Sequence, residues 1–151
     1  YCTSSSRWIY GKEPIRVQGQ LRMHPQWNVD ILANGIMDFG EGKYASFTCG
    51  TQTFGDQYVN IYGTKGKIVV PRPFNAMEKT HIELHIDNEV HEIPIEATDQ
   101  YTLQADAFAR AVFDNEEVPT PLSDAVSNMK VIEALKESAE MQRMVKISDS
   151  R

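Results

Sequence analysis

The sequence predicts an α+β domain: an open, predominantly antiparallel β-sheet with helices packed on one face, the other face being available for dimerisation. Short strand-type segments follow one another between residues 15 and 70, separated by glycine-containing turn clusters. Residues 81–95 alternate strictly, with Ile82, Leu84 and Ile86 on one side and His81, Glu83 and His85 on the other. After Thr98 the apolar period becomes helical.

In chain order, a short helix is expected over 3–10, where Trp8 and Ile9 are apolar and Gly11 is placed to stop it. Strands are expected over 15–22, 31–39, 43–51, 58–62 and 67–70, with Asn34-Gly35, Gly40-Glu41-Gly42, Gly55-Asp56 and Gly63-Thr64-Lys65-Gly66 as punctuation. Asp87-Asn88 reads as the turn of the 81–95 hairpin, and Pro94 suits an edge strand better than a central one. Two helices follow. Tyr101, Ala105, Phe108 and Val112 give the apolar stripe of a helix over 101–115; Val126, Met129, Ile132, Leu135 and Ala139 give that of one over 124–141, with Ser123 as its N-cap. Residues 145–147 suit a short strand, and 148–151 are expected to fray.

A chain of 151 residues, 41% hydrophobic and 24% charged, has the size and composition of one globular domain, so residues 1–151 are expected to form a single unit. No apolar run reaches the ~20 residues of a membrane helix. A net charge of −6 with scattered Lys and Arg argues against a nucleic-acid partner. Cys2 and Cys49 form neither a metal-ligand pattern nor a disulfide framework, and read as free thiols of a reducing cytoplasm. A helical pattern that begins at the first residue suggests a piece of a longer protein, truncated at its N-terminus.

Chemistry-bearing residues are sparse. His81 and His85 are about 13 Å apart at ~3.3 Å per strand residue, too far to share one metal ion, and with His91 they read as exposed strand residues. His24, before Pro25, reads as a loop residue. Gly63-Thr64-Lys65-Gly66 precedes a strand, where a phosphate loop needs a helix N-terminus. Asp38, Glu41 and Asp56 occupy three different turns and make no acid pair. No metal site is expected. Tyr1 carries a hydroxyl able to give a proton to a forming alkoxide if a nearby cation lowers its pKa from about 10.

Several segments together carry a resemblance. They are residues 1–14 (Tyr1-Cys2-Thr3-Ser4 through Gly11-Lys12-Glu13-Pro14), Ala45-Ser46-Phe47-Thr48-Cys49, Ile61-Tyr62-Gly63-Thr64-Lys65-Gly66, residues 101–112 and residues 124–135. In order and spacing the series resembles the C-terminal domain of the Gfo/Idh/MocA oxidoreductases over nearly the whole chain, and within that family the branch of dihydrodiol and sugar dehydrogenases.

The resemblance implies a substrate-binding and oligomerisation domain of an NAD(P)-dependent enzyme that moves hydride between nicotinamide and a carbinol carbon of a sugar, polyol or dihydrodiol. It implies that Tyr1 is the tyrosine ending an Asp-x-Gly-x-Tyr stretch, acting as the acid/base beside a lysine of a Glu-Lys-Pro motif. That lysine and the Gly-rich NAD or NADP fingerprint would belong to an N-terminal Rossmann domain, so this chain alone is expected to bind no cofactor and to be inactive. Arg22, Phe74 and Tyr101 take positions where relatives line the substrate cleft; Trp27 and Asp30 lie in a loop long enough to reach it, but neither is put forward as a site residue. Tyr44, Phe47, Tyr58 and Tyr62 suggest a sheet face that meets a second copy, giving a homodimer or homotetramer. A non-catalytic ligand-sensing or dimerisation module of a regulator is the alternative, since one architecture serves both.

Overall fold

The computed structural model describes residues 1–147, in the order α1 (Cys2–Tyr10), β1 (Arg16–Met23), β2 (Asp30–Asp38), β3 (Tyr44–Gly50), β4 (Val59–Tyr62), β5 (Lys67–Val70), β6 (Thr80–Ile86), β7 (Glu89–Ile95), α2 (Gln100–Phe113), α3 (Leu122–Met141) and β8 (Val145–Lys146). All pairings are antiparallel, so the α+β class and the open sheet stand as read from the sequence. The strands nevertheless divide between two four-stranded sheets, β3-β2-β1-β8 and β4-β5-β6-β7. The expected fraying of 148–151 lies outside the described residues.

The chain forms two compact units, one of residues 1–54 with 120 onward, the other of residues 55–119. In the first, α3 lies on β1 over a core of Val17, Met37, Phe39, Val131, Ala134, Leu135 and Val145. Alternation sends Val17, Gly19 and Leu21 toward the helix and Arg16, Gln18, Gln20 and Arg22 to the open face. Asn34-Gly35 is not a turn: both residues sit in mid-strand, Gly35 paired with Gly19 on one side and Phe47 on the other. A Cβ at Gly35 would meet the Phe47 ring, at 2.6 Å from Cζ, and Leu135 Cδ2 at 3.1 Å. Glycine stands there to make room for the Phe47 ring and for Leu135 of the helix, not to bend the chain.

Beyond Val17, β1 has no strand on its β8 side. Ser138, fully buried, completes that edge: its Oγ accepts from Gly19 N at 3.0 Å and donates to the Arg143 carbonyl at 2.5 Å. The α3 stripe is rotated from the expected one. Val131, Ala134, Leu135 and Ser138 are buried, whereas Val126, Met129 and Ile132 are exposed, because contact with the glycine pair sets which side of α3 faces the sheet. The helix starts two residues earlier than expected, with Pro121 rather than Ser123 at the N-cap.

Arg7 holds α1 in place. Only 6% exposed, it donates to both Glu13 oxygens at 2.7 and 2.6 Å and to Asp124 Oδ1 at 2.8 Å, in the first turn of α3. Those bonds, Glu13 foremost, raise the guanidinium pKa against the opposing effect of burial. Tyr10 packs its ring 4.4 Å from Phe39 and donates to the Tyr44 carbonyl at 2.8 Å. Gly11, at φ 62°, ends the helix as expected.

The second unit is a meander, β4 to β7, with α2 following it. Asp87 and Asn88, both at positive φ, make the tight turn between β6 and β7, and β7, which carries Pro94, is an edge strand. Asp99 caps α2 by accepting from Tyr101 N at 2.9 Å. None of the α2 side chains is buried, and Tyr101, Phe108 and Val112, expected on its packed side, are exposed.

Candidate functional site

One end of the first unit's sheet gathers several of the singled-out residues. Tyr1, 70% exposed, occupies the N-cap of α1, and its carbonyl accepts from Ser5 N at 2.9 Å. The Cys49 thiol has its pKa pushed up by burial first and then by the neighbouring Cys2 and Asp30, against an opposing effect of the terminal amino group. The start of α1 therefore sits beside the end of β3 and the first residue of β2. Arg22 pairs with Leu32, which pairs with Gly50, so Arg22 belongs to the same end. Its side chain is on the open face, opposite the face that carries Cys49 and α1.

The loop 24–29 closes this end. His24 N donates to the Val29 carbonyl at 2.7 Å, and His24 Nδ1 accepts from Gln26 N at 3.2 Å and from Trp27 N at 3.3 Å. The two rings stack at 4.1 Å with planes 9° apart. His24 is thus a structural acceptor that fixes Trp27, a role its position before Pro25 did not reveal.

Phe74 and Tyr101 belong to the second unit, and a neighbour-to-neighbour tether brings their segments together: Gln100 Nε2 donates to Asn75 Oδ1 at 2.9 Å. Phe74 N donates to Gln57 Oε1 at 3.2 Å. Of the four residues nominated from the sequence, Tyr1 as acid/base and Arg22, Phe74 and Tyr101 as substrate contacts, the first two belong to the first unit and the last two to the second. Among the described residues, a surface depression of about 330 Å³ lies at the β4–β5 and β6–β7 turns near Lys67 and Asn88 and another of the same volume along β1 near Gln18 and Gln142; none of the four nominated residues lines either.

The remaining polar candidates have structural partners. Asp38, 2% exposed, accepts from Gly40 N at 2.8 Å and Arg16 Nε at 2.7 Å, and these bonds hold its carboxyl below the usual range. Glu41 pairs with Lys43 at 2.9 Å, and Asp56 accepts from the Gln57 amide at 2.8 Å. Glu83 lies between His81 at 3.5 Å and His85 at 2.8 Å, the latter chiefly responsible for its lowered pKa. Among the described residues no three His, Cys, Asp or Glu side chains are placed to hold a metal ion. The turn Gly63–Gly66 joins antiparallel β4 and β5, so it precedes no helix and offers no N-terminal phosphate cradle. Among the described residues no helix is long and apolar enough to cross a membrane.

The aromatic set expected on one dimer face is dispersed. Phe47 faces Gly35 and the core, and Tyr44 is on the open face of the same strand. Tyr58 and Tyr62 belong to the second unit, where Lys67 Nζ stands 5.3 Å from the Tyr62 ring centre.

Residues 1–69 match the family model described as the GFO/IDH/MocA C-terminal domain. The chain is 29% identical over 147 residues to an uncharacterized oxidoreductase, ORF334, of Rhizobium meliloti, covering 93% of the chain and 44% of the relative. It is also 29% identical over 149 residues to D-xylose 1-dehydrogenase (NADP(+)) 2 of Haloferax volcanii, covering 97% and 46%. The chain therefore spans a little under half the length of these curated relatives. In fold it is similar to aldose-aldose oxidoreductase from Caulobacter crescentus, solved with glycerol (TM-score 0.84, 19% identity, 97% of this chain and 45% of that one). It is likewise similar to KijD10, a 3-ketoreductase from Actinomadura kijaniata solved with NADP and TDP-benzene (TM-score 0.83, 19% identity, 91% and 43%). By the family model matched over residues 1–69 and by relatives aligned over nearly its whole length, the chain is similar to the C-terminal part of the GFO/IDH/MocA oxidoreductases.

Proposed function

We propose that this chain is the substrate-binding part of an NAD(P)-dependent oxidoreductase that interconverts a carbinol and a carbonyl on a sugar or polyol. The observation that carries the reading is its alignment, over 97% of its length, with a relative named as an NADP-dependent xylose dehydrogenase. Hydride transfer is the chemistry of the nicotinamide. On this reading Tyr1 holds the proton that the substrate oxygen gains or loses, and its exposed place at the start of α1 supports that role. Arg22, Phe74 and Tyr101 are proposed substrate contacts, and residues 1–151 are proposed to act as one substrate-binding domain, in the cytoplasm, where Cys2 and Cys49 stay reduced.

The open face of the first sheet is the proposed homodimer surface. Gln18, Gln20, Asn34, Ile36, Tyr44 and Thr48 share it by the pleat and register, an apolar centre within a polar surround. The test of the function is turnover: the full-length protein that carries this chain, supplied with NADP or NAD, should oxidise aldoses or polyols. No reduced nicotinamide formed with any of them would refute the reading.

A further inference from the structure

Trp27 is an exposed indole that the fold has fixed in place. It is 67% exposed, yet its amide is bonded to His24 Nδ1 and one ring face lies flat on the imidazole, so the loop displays the other face outward without first having to order it. A surface tryptophan needs no such scaffold. Arg22 and Asp30 flank the same loop, and among the described residues neither makes an ion pair; Tyr1 is at the same end of the sheet. A flat apolar plate flanked by a cation and a carboxylate matches one ligand chemistry well: a pyranose, with a face of C–H bonds and a rim of hydroxyls that both donate and accept.

Resting on the function proposed above, we infer that Trp27, held by His24, is a specificity-determining residue that stacks on the sugar ring, with Arg22 and Asp30 taking hydroxyls at its rim. The inference also explains why His24 spends its ring nitrogen on two backbone amides. It keeps Trp27 in one orientation.

In the full-length protein with D-xylose and NADP, Trp27→Ala should raise the sugar KM about tenfold with kcat changed little, and Trp27→Phe should restore most of the loss. The KM for NADP should not move. An unchanged sugar KM in Trp27→Ala, or a rise confined to NADP, would overturn the inference while leaving the oxidoreductase reading intact. If the wild-type protein oxidises neither aldose nor polyol, that reading fails; if it oxidises no aldose, emission decides for Trp27: in the 151-residue chain, Trp8→Phe leaves Trp27 as the one indole. A saturable emission change with D-xylose supports stacking, and a flat titration rules it out.

Discussion

Gly19 of β1 and Gly35 of β2 are register partners, and Leu135 of α3 lies over both. At Gly19 a Cβ would run into the Leu135 carbonyl, with the carbonyl carbon at 3.0 Å; at Gly35 it would meet side chains only. Backbone cannot step aside as a ring can. Gly19→Ala is therefore expected to destabilise by about 1–3 kcal/mol, the usual cost of overpacking, and Gly35→Ala by less. Thermal melts of the two variants check the order, and equal or reversed losses would place α3 farther from β1 than described.

Arg7 joins three segments, so its removal should be felt well beyond α1. Arg7→Met keeps the stem but leaves Glu13 and Asp124 without their cation, at a cost of about 1–3 kcal/mol, since both carboxylates are partly solvated. Denaturant unfolding measures it. A loss below ~0.5 kcal/mol would mean that the pairing is no more than a surface contact.

Acid should unfold the protein through identifiable groups. Asp38 has a folded pKa below its unfolded one, chiefly from the Gly40 amide and next from Arg16, and Glu83 likewise through His85. Stabilisation from a depressed carboxylate is present above the unfolded pKa and is lost as pH falls through the folded one. Stability should thus be level near neutrality and fall below about pH 4. Asp38→Asn should be less stable at pH 7 and show a shallower acid slope; a melting temperature as steeply pH-dependent as wild type would exclude Asp38 as a source.

The open sheet face should pair two copies. Light scattering on the chain is expected to give twice the mass of one chain, and Ile36→Lys, in the middle of that face, should return it to a monomer. A wild-type monomer at all concentrations would remove the proposed interface.

Where structure depends on local chemistry it was readable in the sequence. Gly11, the 40–42 turn and Asp87-Asn88 all adopt positive φ, and their residue types announce it. Asn34-Gly35 has the same look but a different cause, since its glycine leaves room for the Phe47 ring across the sheet and, less tightly, for Leu135 a hundred residues away, and no local pattern carries that. The division into two sheets is equally non-local. Phe47 is another case: it is three residues from Tyr44, so strand parity alone puts the two on opposite faces. Tyr1 and Arg22 were nominated by resemblance and fall at one sheet end, whereas the His24 hold on Trp27 depends on loop geometry that composition does not encode.

The central claim is that this chain supplies the proton-handling tyrosine of an oxidoreductase, and steady-state turnover of Tyr1→Phe in the full-length protein tests it most directly. The account predicts kcat lower by ~100- to 10,000-fold, as for a positioned acid/base, with cofactor affinity nearly unchanged. Wild-type turnover in that variant would contradict it.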